Sequence, residues 1–270
     1  MPSTTVGVDI AKNVIQLHYI DAETGEIINK PIKRAAFLEQ FANRAPCLIG
    51  MEACGGSHYW ARVLSAQGHT VKLIAPQYVK PFVKRGKNDR NDAEAIVEAV
   101  SRPTMRFVSI KSVEQEDIQA VHRMRAILVR QRTAVINQIR GLLAERGLII
   151  ARSPQAFKRA MPILLCNEGS ELTAFCQALL TEMLHHLQAL EARIHWLEVS
   201  IKEFVKNSEL CRKITAVEGV GPLTATAIVG AIGDAKQFSN GRHLAAWLGL
   251  VPRQYSSGGK ARLQGISKSV

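Results

Sequence analysis

The sequence changes character at Val113. Val113 to Arg146 and Leu172 to Val205 contain no proline, and between them a single glycine, Gly141. Stretches of that length, studded with charge and free of turn residues, have only one regular solution, a long helix. In the second stretch Met183, Leu187, Leu190, Ile194, Leu197, Ile201 and Phe204 recur at alternating steps of four and three, a heptad seam. Ser153-Pro154 and Pro162 predict a break between the two helices. The expectation is a long coiled-coil helical hairpin over residues 109–208. Its seam suits either a dimer interface or the interior of a monomeric bundle.

The chain before this point reads differently. Thr4 to Ile10, Val14 to Ile20 and Ile27 to Ile32 are β-rich runs separated by short polar breaks, which predicts a three-stranded meander with Pro31 at an edge. Ala35 to Arg44 has helical character. A strand over Cys47 to Met51, a helix over His58 to Gln67, a strand over Thr70 to Ile74 and a helix over Asn91 to Ser101 follow. Strands that give way to alternating helices and strands predict an α/β domain, residues 1–108, with one mixed sheet flanked by helices. Residues 209–270 are Gly-rich and predict a small helical C-terminal domain. They hold the apolar helix Leu223 to Ile232 and a polar loop, Tyr255 to Lys260.

Charge narrows the partners. Lys and Arg number 35 against 23 Asp and Glu, a formal +12, which favours polyanions. No apolar run is long enough to span a bilayer, so membrane partners are not expected. The five cysteines (Cys47, Cys54, Cys166, Cys176, Cys211) are scattered without C-x-x-C spacing. They predict reduced cytoplasmic thiols rather than a disulfide framework or a zinc site.

Four acids carry the chemistry. Asp9 ends an otherwise apolar strand, and Glu52 stands at the carboxyl end of Leu48 to Met51. Functional groups in open sheets gather beyond strand ends. Asp89 and Asp92 are three apart at the start of a helix and can share one face. Such carboxylates repel one another unless a cation lies between them, and hard oxygen ligands suit Mg²⁺ or Mn²⁺. Singly, each acid has a plainer reading: Asp89 and Asp92 as helix caps, Asp9 as a turn former.

Three of these neighbourhoods together resemble a family. Gly7-Val8-Asp9-Ile10-Ala11-Lys12, Gly50-Met51-Glu52-Ala53-Cys54-Gly55 and Asn88-Asp89-Arg90-Asn91-Asp92-Ala93 are similar to the DEDD transposases of the IS-one-ten insertion-sequence family. Glu218 to Pro222, Trp247 to Pro252 and Ser256 to Lys260 resemble the C-terminal domain of the same family. The resemblance implies an RNase H-like (RuvC-like) first domain and a coiled-coil insertion. It also implies a DNA recombinase, nucleoid-associated in a bacterial cytoplasm and acting as a homo-oligomer, a dimer or tetramer. It makes Asp9, Glu52, Asp89 and Asp92 the metal ligands and Ser257 a nucleophile that joins covalently to DNA. A structured non-coding guide RNA, pairing with donor and target DNA, is a further implied partner.

Around Ser257, the glycines 258 and 259 allow close approach to a phosphate, and Arg253, Lys260 and Arg262 can neutralise its charge. Composition alone also fits a plain flexible turn, with Ser256 as a competing hydroxyl. Gly219 and Gly221 before the apolar helix resemble a helix-hairpin-helix turn that holds a DNA phosphate, or form a simple tight turn. Arg123 and Arg130 on the first long helix fit phosphate contacts or a merely solvated basic face.

Family members continue beyond the serine loop whereas this sequence ends at Val270, so an incomplete C-terminal domain is expected. Two other functions compete: a RuvC-like junction resolvase or nuclease using metal-activated water, and a non-catalytic nucleic-acid-binding remnant. A sugar-kinase or actin-like reading is disfavoured because the first strand lacks a Gly-rich phosphate loop.

Overall fold

The computed structural model describes residues 4–84, 86, 88–166 and 172–266, with the side chains of Cys166 and Arg253 excepted. Arg85 and Lys87 lie outside the described residues. The chain divides into two compact units. One comprises Met1–Ser112 with Ile232–Val270, the other Val113–Ala231.

The first unit is built on a six-stranded mixed sheet: β1 (Thr5–Ile10), β2 (Val14–Ile20), β3 (Ile27–Lys33), β4 (Leu48–Glu52), β5 (Thr70–Ile74) and β6 (Phe107–Val108). The spatial order is β3-β2-β1-β4-β5-β6. The expected meander is present: β1 pairs antiparallel with β2, and β2 with β3. β4 then joins β1 in parallel and β5 joins β4 in parallel. This mixed α/β architecture is consistent with the RNase H-like fold. β6, two residues long, is too short to leave a periodic signal.

Alternation along the strands gives the sheet two unlike faces. Val6, Val8, Ile15, Leu17, Ile49, Met51, Val71 and Leu73 point to one side and form a core with Phe37, Phe41, Trp60, Ala61 and Leu64. The helices covering that face are α1 (Glu39–Ala42) and α2 (Ser57–Ala66). The helix expected over Ala35 to Arg44 is thus interrupted, a 3₁₀ turn over Arg34–Ala36 followed by the single turn α1. It is shaped by burying Phe37 and Phe41 edge to face at 5.3 Å rather than by a continuous apolar stripe.

The other face carries the alternate residues, among them Gly7, Asp9, Gly50 and Glu52. After the single-turn α3 (Pro76–Val79), α4 (Asp89–Val100) packs there through Ala93, Ile96 and Val100. The two glycines are neighbours in register across β1 and β4. A Cβ on Gly7 would stand 2.2 Å from the Ala93 carbonyl oxygen, and one on Gly50 would stand 3.0 Å from Ile96 and Val100. The glycine pair is therefore a notch into which α4 sinks. Gly7→Ala is expected to lower stability by about 3 kcal/mol, the upper end of the usual range for overpacking, because the atom it meets belongs to a backbone that cannot yield. Gly50→Ala, which meets side-chain atoms only, should cost less. Urea unfolding of the two variants against wild type measures both.

The second unit is helical: α5 (Val113–Ala144), α6 (Pro154–Cys166), α7 (Ala174–Asn207), α8 (Glu209–Thr215) and α9 (Pro222–Ala231). The two long helices stand where the sequence predicts them. Leu190, Ile194 and Leu197 of the heptad seam pack with Leu128, Val121, Val129 and Val135 of α5 in the same chain. The seam thus has an occupant within the monomer. α8 and α9, which the sequence groups with the C-terminal segment, pack against these helices here.

The break expected at Ser153-Pro154 and Pro162 is instead largely helix. Pro154 occupies the first helical position, where its missing N–H costs nothing, and the Ser153 hydroxyl caps the Ala156 N–H at 3.1 Å. Pro162 lies inside α6, which is retained because Phe157 and Met161 bury in a core shared with α5 and α7. Tertiary burial here outweighs one lost backbone hydrogen bond.

The last described stretch, in the first unit, contains α10 (Gly241–Trp247) and an antiparallel hairpin, β7 (Pro252–Ser257) with β8 (Lys260–Ile266). The expected polar loop Tyr255 to Lys260 is thus mostly strand. Gly258 and Gly259 both take positive φ, 58° and 76°, which is what a two-residue hairpin turn requires.

Candidate active site

The carboxylates come together through three elements. Asp9 and Glu52 come one residue after the last pair that joins β1 to β4, Val8 with Met51, so they stand side by side at the carboxyl ends of two central strands, each still paired on its other side, with Gln16 and Ile74. Each lies two residues after a notch glycine and so on the face that α4 covers. Asp89 and Asp92 sit in the first turn of α4.

That first turn is fixed in two ways. The Asn88 side chain accepts from the Asn91 N–H at 2.9 Å, an N-cap. From the sheet, Asn29 of β3 donates its amide to the Arg90 carbonyl at 3.1 Å. Asn29 is itself held by Gln16, which donates to its side-chain oxygen at 2.6 Å, and lies 3.0 Å from His18 Nδ1. Gln16 pairs directly with Asp9 across the sheet. This half-buried polar ladder leaves no signal in the sequence. Gln16 and His18 on the non-apolar phase of a strand read as solvent-facing until α4 is placed over them.

Electrostatics report the convergence. The Asp9 carboxyl is pushed up to about 6, first by partial burial, then by the negative charges of Asp92, Asp89 and Glu52, against a hydrogen bond from the Ile10 backbone. The Cys54 thiol is also raised, by burial and then by Glu52 and Asp9. All four acids therefore act on one small region.

Beside the carboxylates is a cleft of about 590 Å³ lined by Ile10, Ala11, Lys12, Arg34, Gly55 and Gly56. Lys12 is exposed, and the Arg34 guanidinium is held over the Trp60 ring at 5.0 Å. Gly56, at φ 86°, leads into α2. Two cations and a glycine turn next to a cluster of acids give one site both signs of charge. Lys12 falls inside the first family motif and Arg34 in none, and neither is marked by its sequence as a cleft residue, since they reach it from the turns after β1 and β3.

The donor chemistry of the four acids, all carboxylate oxygen, fits a hard divalent cation rather than zinc. As the side chains stand, no group of three or more His, Cys, Asp or Glu is close enough to hold an ion among the described residues. The set fits by chemistry and mutual repulsion, not by finished ligand geometry.

Ser257 ends β7 opposite Lys260, and Tyr255 stands opposite Arg262. Cross-strand partners share a face, so Ser257, Lys260 and Arg262 lie on one side of the hairpin. Ser256 lies on the other and accepts a hydrogen bond from the Gln254 amide at 2.8 Å. Of Arg253 only the backbone is described. Gly219, at φ 81°, and Gly221 form the turn between α8 and α9. Arg123 and Arg130 are exposed on α5. Cys47, Cys54, Cys176 and Cys211 are free thiols. No helix is long and apolar enough to cross a membrane among the described residues.

A six-stranded mixed sheet with carboxylates on two adjacent parallel strands and at the start of the helix across them is consistent with an RNase H-like fold. Comparison with known proteins makes this specific. Residues 6–146 match a family model for the DEDD transposase of IS110, and residues 211–270 match one for the transposase IS116/IS110/IS902 family. The chain is 49% identical to a probable family 20 transposase of Pseudomonas aeruginosa, over 99% of its own length and 80% of that protein's. It is 46% identical to the transposase for insertion sequence element IS1111A of Coxiella burnetii, over 97% and 72%. It is 39% identical to the transposase for IS1328 of Yersinia enterocolitica, over 99% and 80%. The chain belongs to the IS110 family of insertion-sequence transposases. Membership implies the use of a divalent metal and action on DNA.

Proposed function

We propose that this transposase cuts and joins DNA strands through two groups: a Mg²⁺ or Mn²⁺ site made by Asp9, Glu52, Asp89 and Asp92, and the Ser257 hydroxyl. The observation that carries it is the glycine notch. Gly7 and Gly50 let α4 lie against β1 and β4, so that Asp89 and Asp92 arrive at the strand ends bearing Asp9 and Glu52. When bound, the cation supplies charge neutralisation at the transferred phosphoryl group.

The chain's own residues do the rest. Lys12 and Arg34 hold a backbone phosphate in the adjoining cleft and orient the scissile bond toward the acids. Ser257, on the face shared with Lys260 and Arg262, attacks phosphorus through its Oγ: the Oγ–P bond forms as the P–O bond to the neighbouring deoxyribose breaks, that sugar oxygen leaves carrying the serine proton, and the two cations balance the developing negative charge. The hairpin that presents it is a lone pair of strands with exposed side chains, a marginal structure by itself. It is ordered against DNA or a second copy of the chain when the reaction occurs. Arg253 would join Lys260 and Arg262. The Gly219–Gly221 turn and Arg123 and Arg130 would hold phosphates of DNA or of a guide RNA. The α5–α7 pair is the coiled-coil element of the assembled dimer or tetramer.

Mg²⁺ titration tests the acidic site. The melting temperature of the wild-type chain should rise by several degrees on addition of millimolar Mg²⁺, as a ligand that binds only the folded state requires. A Glu52→Gln, Asp92→Asn double variant should show no rise. An equal rise in both would remove the metal from these four residues.

A further inference from the structure

The helical unit carries an open cavity of about 800 Å³ formed by α5, α6 and α7 with the segment before α6. Its floor is apolar, and Phe157, Met161 and Leu187 are buried there. Its rim is cationic. Arg132, Arg152 and Lys158 line it against one carboxylate, Glu191, which pairs with Lys158 at 3.2 Å.

Arg140 forms part of the wall. Its guanidinium lies 5.8 Å from the centre of the Phe157 ring and donates to the carbonyls of Ala151 and Arg152 at 3.1 and 2.7 Å. Its Nε is buried without a partner. A buried donor left over is costly unless something completes it. Asn137 and Gln188 add two amides.

An apolar floor, the half-buried Arg140 guanidinium in the wall and exposed amides and cations around the mouth match the three parts of a nucleotide. The base is desolvated on the floor, its edge is read by amides, and its phosphate is neutralised outside. A fatty acyl chain would leave Arg140 Nε unsatisfied, and an acidic peptide has no use for the floor. A base within a duplex is stacked and paired and cannot enter. The approach is also prepared. Arg123, Arg130 and Asn137 are spaced by sevens, so they lie along one stripe of α5, and the exposed Arg123 and Arg130 lead to the cavity.

We propose that this cavity receives an unpaired nucleotide of a nucleic-acid strand, with the base between Phe157, Asn137 and Gln188 and the phosphate on Arg132 and Arg152. The proposal rests on the reading of the chain as an enzyme of nucleic acids. It adds a site that reads single-stranded character, separate from the acids.

The test uses the full chain and three probes of equal length at matched salt: single-stranded DNA, single-stranded RNA and a blunt DNA duplex, followed by fluorescence anisotropy. Gln188→Trp fills the cavity, and Arg152→Gln removes one rim charge while keeping its size class. For the preferred single strand, Kd should rise about tenfold in Gln188→Trp and a few-fold in Arg152→Gln, with duplex affinity unchanged in Gln188→Trp. Whether DNA or RNA shows the loss identifies the source of the nucleotide. A 5-iodouracil probe should crosslink to Phe157 or Met161, a readout that stands even if Gln188→Trp melts early. Equal weakening on all three probes in Gln188→Trp, or crosslinks confined to other residues, would overturn the cavity. Duplex binding with no single-strand effect would remove it and leave the proposed function intact. Failure to bind any probe would count against both.

Discussion

Asp9→Asn should cut strand cleavage about 10³-fold and, in metal-free buffer at pH 7.5, make the protein more stable. The two effects have one cause. Asp9 ionises near pH 6 in the folded chain against 3.8 for the ordinary carboxyl, because burial and three like charges oppose its anion. A folded-state pKa raised above the unfolded one gives stability that is fully present below about pH 4 and lost as pH rises through 6. Full conversion at about 1.4 kcal/mol per unit would give roughly 3 kcal/mol. Asp9 is partly exposed, so solvent screening reduces this to about 1–2 kcal/mol.

Asparagine keeps the shape and removes the charge. The variant should therefore melt a few degrees above wild type at pH 7.5 in EDTA, with the difference vanishing at pH 4. Cleavage should fall on the order of 10³-fold, the several kcal/mol of charge stabilisation that a lost metal ligand forfeits. Calorimetry across pH, paired with nicking of a plasmid carrying the element's ends, measures both. A variant no more stable than wild type at neutral pH would show that the four acids do not press on one another.

Ser257→Ala divides the recombinase from a nuclease that uses water. Loss of a nucleophile costs several orders of magnitude even when every other group remains. Covalent protein–DNA adduct should vanish and cleavage should fall at least about 10³-fold. Ser256→Ala should leave both near wild type, since its hydroxyl lies on the opposite face of the hairpin and accepts from Gln254. Denaturing gels of protein labelled through its DNA show the adduct directly. Cleavage unchanged in Ser257→Ala would reassign the chemistry to water at the acidic site.

Much of the fold is legible because the signals are local. β1, β2, β5, α5 and α7 fall within a few residues of their predicted limits, each marked by period-two or long unbroken apolar patterning. Elements decided by contacts are not legible in this way. α6 runs through Pro162 because Phe157 and Met161 have a core to enter, and the β7–β8 hairpin lacks the apolar alternation that announces a strand.

The site divides along the same line. The sequence by itself singles out the four carboxylates as candidates, since acids ending apolar strands need a reason to be there and the family motifs group all four. It also determines the family, through motifs in unbroken order. Only the tertiary structure decides that Gly7 and Gly50 are neighbours under α4, and that Gln16, His18 and Asn29 hold the helix's first turn. It alone brings Lys12 and Arg34 into one cleft. The reason is physical. A carboxylate's cost is carried by its own strand, whereas a notch, a ladder or a cleft exists only where separate strands lie side by side, and sheet register is not written in any one of them.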